Sequence, residues 1–393
     1  MSNRTTTLLI TALSSLLGYF LKIQCVLPIS LSIFSDVFRT CYSDISTLYG
    51  ARDLYMGIIP YFQMQTDGQY LEYPVLIGLQ MLITSVLTNN LFPGSWQFFS
   101  IVNWAINLVY ILVAVWYLHK ISHRAARWFS LSPALLLVLG INWDAMAIML
   151  MILGIYFYQQ KRYSRMGIAL GLGMSAKLFP ILLLPIAVIY FYESKNFRAI
   201  FQSILAAFTS WLAVNLIFIV FAFDGWIRFF EFSHERGIDF GSPYLALKFL
   251  VDVQVSASQA NSVGLVGVAA TYFAIYIFRK KLDFIVAVTL VITVFVLINK
   301  VYSPQFWLWL APLLALIVTD RRNWIQWNIA EALYFFSVWA YIASYSSNAF
   351  ALSADTYAIF ICIHFFSTMI AVLIAVRSSM RNQPQLVRDQ SHL

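Results

Sequence analysis

The 393-residue chain is 61% hydrophobic and only 11% charged, with 33 Phe, 22 Tyr and 12 Trp and a mean hydropathy of +0.76. A soluble core cannot absorb that much apolar surface, so the composition reads as an all-α polytopic membrane protein. The formal charge of +8 does not mark a nucleic-acid binder, because the basic residues come as short clusters between apolar runs, where the positive-inside rule places them.

In chain order, only Arg4 precedes the first apolar run, and no small-residue cleavage pattern follows it, so residues 8–34 read as a retained first span. The stretch 36–74 is the first long polar interruption and carries Asp36, Asp44, Asp53, Asp67 and Glu72 with Arg39 and Arg52. Lys120/Arg124/Arg127, Lys161/Arg162/Arg165, Lys195/Arg198, Arg279/Lys280/Lys281, Arg321/Arg322 and Arg377/Arg381/Arg388 all belong on the cytoplasmic side. That assignment puts 36–74 outside. It also keeps the apolar run 75–92 within a first external loop, 35–95, as a helix at or dipping into the outer leaflet, with 96–118 returning inward.

Two hairpins follow, 129–158 and 166–193, whose halves of about 11 to 14 residues fall short of the ~20 that a full crossing takes. Their tips, Asn142-Trp143-Asp144 and Lys177-Leu178-Phe179-Pro180, are expected to stop inside the membrane and line a cavity. A span at 199–223 leads to a second external loop, 224–260, where Gly225, Gly237 and Gly241 are read as turn formers. Spans near 261–278, 284–299, 304–319, 324–345 and 356–376 bring the total to about twelve crossings. Residues 1–393 thus form one transmembrane domain, with 377–393 as a disordered cytoplasmic tail. Cys25, Cys41 and Cys362 have neither metal-ligand spacing nor a disulfide framework, and no Rossmann, P-loop, HExxH or GxSxG pattern occurs.

Chemistry must then come from the external charges. Asp53 and Asp67 read as solvated loop residues, whereas Asp44 follows the first span closely and has Tyr42 and Ser43 beside it. Asp144, at a tip too short to reach bulk water, needs polar partners, and Trp143 beside it offers a flat face for a sugar ring. Lys177 is a cation at the other tip. In Lys300-Val301-Tyr302-Ser303-Pro304-Gln305, Ser303 is placed to cap a helix that Pro304 starts, so that free backbone N–H groups beside Lys300 would make an anion site. Arg228, His234, Glu235 and Arg236 are a candidate flap closing over that site.

The motifs Tyr42-Ser43-Asp44-Ile45, Leu48-Tyr49, Arg52, Gly57-Ile58-Ile59-Pro60-Tyr61, Glu72-Tyr73-Pro74, Asn142-Trp143-Asp144, Gly171-Leu172-Gly173, Ala176-Lys177-Leu178-Phe179-Pro180 and Lys300-Val301-Tyr302-Ser303-Pro304-Gln305 together resemble the GT-C membrane glycosyltransferases, specifically family 87. Val75 stands where such enzymes commonly carry a second proline. The resemblance implies a GT-C fold with juxtamembrane helices in the first external loop. It also implies sugar transfer on the extracytoplasmic side of a bacterial plasma membrane, from a polyprenyl-phosphate sugar to a lipid-linked or envelope glycan. Mannose is the expected donor sugar, with arabinofuranose or glucose as alternatives and a transporter or lipid flippase as the rival class. Asp44 then falls in the role of base. Tyr42, Arg52, Glu72, Tyr73, Asn142, Trp143, Asp144 and His234 are expected at the substrates, and Lys177, Arg228, Arg236, Lys300, Ser303 and Gln305 at the donor phosphate. No cofactor is expected, metal independence included, and the partners are membrane lipids and the two substrates, acting on a monomer.

Overall fold

A backbone in hydrocarbon has no water to bond, so long apolar runs close their hydrogen bonds internally as helices. The computed structural model describes residues 3–23, 42–346 and 351–390, and seventeen α-helices lie among them. They are α1 (Asn3–Ile23), α2 (Asp44–Ala51), α3 (Val75–Leu91), α4 (Trp96–Ile121), α5 (His123–Ser130), α6 (Pro133–Leu137), α7 (Asp144–Gln159), α8 (Tyr163–Ala176), α9 (Leu183–Glu193), α10 (Phe197–Phe221), α11 (Phe223–Glu235), α12 (Pro243–Val251), α13 (Ala257–Phe278), α14 (Phe284–Leu297), α15 (Phe306–Ile317), α16 (Arg321–Ile342) and α17 (Ala354–Gln390). Among the described residues five helices are long and apolar enough to cross a membrane: α1, α4, α10, α13 and α17. The chain is a helical polytopic membrane protein. The first expected span begins in α1, while its remainder, with Cys25, Asp36, Arg39 and Cys41, lies outside the described residues.

Both hairpins break where expected. Residues 138–143 separate α6 from α7, and Lys177 and Leu178 followed by a 3-10 turn, Phe179–Leu182, separate α8 from α9. Gly167 and Gly171 let α8 lie directly on α10. A Cβ at either would come within 2.3 Å of the Ser203 carbonyl oxygen or 2.2 Å of that of Ala207, so this small-residue pair sets the approach of the two backbones. The run 75–92 is a helix, α3, and it buries one face that includes Gln80, Thr84, Ser85 and Thr88 while Ile83 and Val86 stay exposed.

Three expectations are corrected. The segment 224–260 is not an open loop but holds α11 and α12, because Trp226, Phe229 and Phe230 recur at helical spacing and Ser242 caps a helix begun by Pro243. Between them Asp239–Phe240 (β1) pairs in parallel with Val301–Tyr302 (β2), in the register Asp239 with Val301 and Phe240 with Tyr302, a small addition to an otherwise helical fold. Of its glycines Gly241 lies in a turn as expected, with an ordinary negative φ, since positive-φ glycines among the described residues are Gly57, Gly68 and Gly94. Gly225 instead sits inside α11, where a Cβ would come within 2.0 Å of the Tyr61 carbonyl oxygen, so α11 packs closely on the segment that carries Tyr61. Finally, the tail continues α17 to Gln390 rather than leaving the helix at Arg377, as adding residues to an existing helix costs far less than starting one.

Candidate active site

Asp44 opens α2, and the chain on both sides of it is held by the break ahead of α7. The Ser43 hydroxyl donates to the Gly140 carbonyl at 2.6 Å, and the Ile45 N–H donates to the Ile141 carbonyl at 3.3 Å. From the same break Asn142 donates its amide to Asp44 Oδ2 at 2.7 Å, while the Tyr42 hydroxyl donates to Oδ1 at 2.5 Å. Asn142 is fixed in turn: Asn107 donates to its carbonyl at 3.1 Å, its Oδ1 accepts the Trp143 N–H at 2.7 Å, and its amide reaches the Tyr73 hydroxyl at 3.1 Å. Both carboxylate oxygens of Asp44 therefore accept a side-chain hydrogen bond.

Burial lifts the Asp44 pKa above its ordinary value, and the hydrogen bonds from Tyr42 and Asn142 with the charges of Lys177 and Arg236 only partly offset this. A base acts deprotonated, so its rate is lost as pH falls through that raised pKa. Tyr42→Phe removes a bond that favours the carboxylate. The acid limb of the rate profile should then move to higher pH, which initial rates across the acid and neutral range would reveal; an unmoved limb would separate Tyr42 from the titration.

The second tip meets the first. Lys177 Nζ lies 3.5 Å from Asp144 Oδ1 and 5.1 Å from the centre of the Tyr73 ring, joining the end of α8 to the start of α7. Asp144 is buried and also feels the charge of Asp44. A third side chain was not singled out from the sequence: Lys22 of α1 is buried, and its Nζ donates to the Tyr42 carbonyl at 3.2 Å. The available signal was a lone lysine inside an apolar run, which is costly enough to mark a functional position.

The segment from α11 to β2 supplies further cations. Lys300 is buried beside β2, and its Nζ donates to the His234 carbonyl at 2.7 Å, so His234 contributes backbone while its ring is exposed. Arg236, between α11 and β1, lies 3.7 Å from Asp239 and acts electrostatically on Asp44, Tyr42 and Lys300. Burial, with the Arg236 charge, pulls the Lys300 ammonium below its ordinary pKa, a condition that a bound anion would relieve. Tyr42, Asp44, Tyr73, Asn142, Asp144, Lys177, Arg236 and Lys300 thus belong to one neighbourhood.

Other expected site residues have different surroundings. Trp143 is completely buried, donates its indole N–H to Asn103 Oδ1 at 2.7 Å and sets its ring against Tyr73 and Phe99; it cannot offer a face to a sugar. Arg52 and Glu72 face each other in a forked pair at 2.5–2.9 Å, bracing the segment between α2 and α3. Asp53 is buried rather than solvated, because its left-handed backbone turns the carboxylate onto the Thr66 N–H and hydroxyl at 2.7 and 2.8 Å. Arg228 pairs with Glu231 and Glu235 on α11. The helix-start anion site is also corrected. The N–H groups of Phe306, Trp307 and Leu308 bond to the carbonyls of Ser303, Pro304 and Gln305, and α15 begins at Phe306 without a side-chain cap, so those donors are not free for phosphate. Among the described residues no group of three His, Cys, Asp or Glu side chains is arranged for a metal; Asp44 and Asp144, which feel each other's charge, have no third such ligand beside them.

Two solved structures are similar in outline. ArnT from Cupriavidus metallidurans bound to undecaprenyl phosphate shares 12% identity over 92% of this chain and 77% of its own, with a TM-score of 0.46. The same protein in the apo state shares 12% over 92% and 76%, with a TM-score of 0.42. No curated protein matches the sequence. The sequence profile described as Glycosyltransferase family 87 matches residues 70–299, more than half of the chain and most of the elements that build this neighbourhood, and the chain belongs to that family.

Proposed function

We propose that this glycosyltransferase inverts the anomeric centre of a polyprenyl-phosphate sugar, with mannose as the sugar, while passing it to a lipid-linked or envelope glycan on the outer face of a bacterial plasma membrane. The carrying observation is a half-buried carboxylate, Asp44, held at both oxygens and acted on by the charges of Lys177 and Arg236, with Lys300 beside Arg236. Asp44 takes the proton of an acceptor hydroxyl. The oxygen attacks the anomeric carbon, the bond from that carbon to the phosphate oxygen breaks, and the electron pair leaves with polyprenyl phosphate. Charge grows on the phosphate as the bond breaks, and fixed cations at that place stabilise the transition state more than the ground state. Asp144, held by Lys177, orients sugar or acceptor hydroxyls.

The test is purified protein with labelled polyprenyl-phosphate mannose and bacterial lipid acceptors. An α-linked labelled glycolipid from a β-linked donor supports the reading. A β-linked product would overturn inversion, activity only with a polyprenyl-phosphate arabinose or glucose would correct the sugar, and solute movement without a new glycosidic bond would remove the transferase mechanism. A monophosphate leaving group faced by three cations has little need of a divalent ion. EDTA should therefore leave the initial rate unchanged. Loss of activity restored by Mg²⁺ or Mn²⁺ would show that a metal completes the site.

A further inference from the structure

Asn103 of α4 belongs to the hydrogen-bond network under the active site, and His119 lies sixteen residues further along the same helix, on the order of 24 Å away at 1.5 Å per residue. At that remote end α1 and α4 leave a groove of about 650 Å³ walled by apolar side chains such as Leu8, Leu9, Val113, Trp116 and Tyr117. A second cavity of about 470 Å³ adjoins it, and Arg4, His119, Lys120 and His123 line it. The two share their border. The Arg4 guanidinium stands 3.9 Å from the centre of the Trp116 ring, and Lys120 Nζ lies 4.9 Å from that of Tyr117, so the cations of one cavity rest on the aromatic wall of the other.

Those cations lack a counter-charge from the protein: among the described residues neither Arg4 nor Lys120 forms an ion pair with a carboxylate. His119 lines the polar cavity with 6% of its surface exposed, and its Nδ1 has no hydrogen-bond partner among the described residues. A buried polar atom left in that state is costly, and an oxygen acceptor from outside the chain would satisfy the Nδ1–H tautomer. An apolar trough ending in clustered positive charge complements one chemistry, a fatty chain joined to a phosphate.

We propose that this is a binding site for an anionic phospholipid of the leaflet remote from the active site, with an acyl chain in the α1/α4 groove and the phosphate among Arg4, Lys120 and His119. A zwitterionic lipid would fill the groove but return only part of the charge, so the site discriminates by headgroup. Delipidated full-length protein should retain phosphatidylglycerol over phosphatidylcholine of identical chains in native mass spectrometry. Each cation removed should weaken retention about fivefold, so R4Q/K120Q should bind phosphatidylglycerol about 25-fold more weakly than the unaltered chain. Equal retention of the two lipids by the unaltered protein, or unchanged retention by the double variant, would overturn the proposal. Should the double variant fail to fold, Arg4→Gln alone changes an exposed residue and carries the same expectation of about fivefold. Phosphatidylglycerol should raise the thermal unfolding midpoint whereas inorganic phosphate should not; an equal rise with phosphate would mark a free-anion site and overturn the lipid assignment. The readouts are lipid retention and unfolding, so their failure leaves the transferase reading standing, and failure of sugar transfer leaves this site standing.

Discussion

Asp44→Asn is expected to reduce glycosyl transfer by about 10²- to 10⁴-fold, the range a positioned general base contributes, while the protein extracts and unfolds as the unaltered chain does. The exchange keeps the shape of the side chain. The amide oxygen that replaces the carboxylate can still accept from Tyr42 or Asn142, although an amide cannot take the acceptor proton and one of the two donors must find a new partner. Donor affinity should change little, since Lys177, Arg236 and Lys300 remain, so the loss belongs in turnover rather than in apparent binding. The measurement is initial rate with labelled donor beside a binding titration with the same donor. Near-unaltered turnover would take Asp44 out of the mechanism, and an equal loss in both quantities would assign it to binding.

The second large effect lies at the meeting of the two hairpin tips. Lys177→Gln leaves the buried carboxylate of Asp144 without its cation, and breaking such a buried pair costs about 3–5 kcal/mol. That loss alone would not distinguish a structural lysine from one that serves the donor phosphate. Asp144→Asn in the same chain removes the uncompensated charge, so the double variant should recover most of the thermal stability. It should not recover activity, because the phosphate would still miss a cation. The check is a double-mutant cycle read twice, by unfolding midpoint and by rate. Recovery of both would make Lys177 a partner of Asp144 and nothing more.

Much of this was legible from residue order because membrane physics restricts the choices. Apolar run length and the placement of Arg and Lys gave most of the long helices and the two interrupted hairpins, and they singled out the polar stretch where Asp44 sits. The short halves of those hairpins identified Asn142, Asp144 and Lys177 as tip residues, since irregular backbone at that depth survives only against protein or water. Residue type and linear position, however, do not say which side of a short helix faces inward or which tips meet. Asn142 reaches Asp44 across 98 residues of sequence, and Lys22 arrives at the same place from the first helix. Trp143 illustrates the limit: its neighbours Asn142 and Asp144 face the site, yet its own indole is drawn into the core by Asn103.

The helix start at Ser303 to Gln305 failed for a related reason. A Ser-Pro pair is a sound local signal for a cap, but β2 pairs with a strand from a segment about sixty residues earlier and the following turn consumes the N–H groups that a cap would have left free. The same pairing holds Arg236 and Lys300 beside one another, so tertiary contact removed the helix-start site and brought two cations together instead. The sequence by itself determined the membrane class, the two interrupted hairpins and the chemistry available, because hydrophobic length and charge placement are local properties with large energies. Only the tertiary structure decided the partners of Asp44, the burial of Trp143 and the convergence of cations from distant segments, because a hydrogen bond or ion pair depends on distances of a few ångströms that no local pattern encodes.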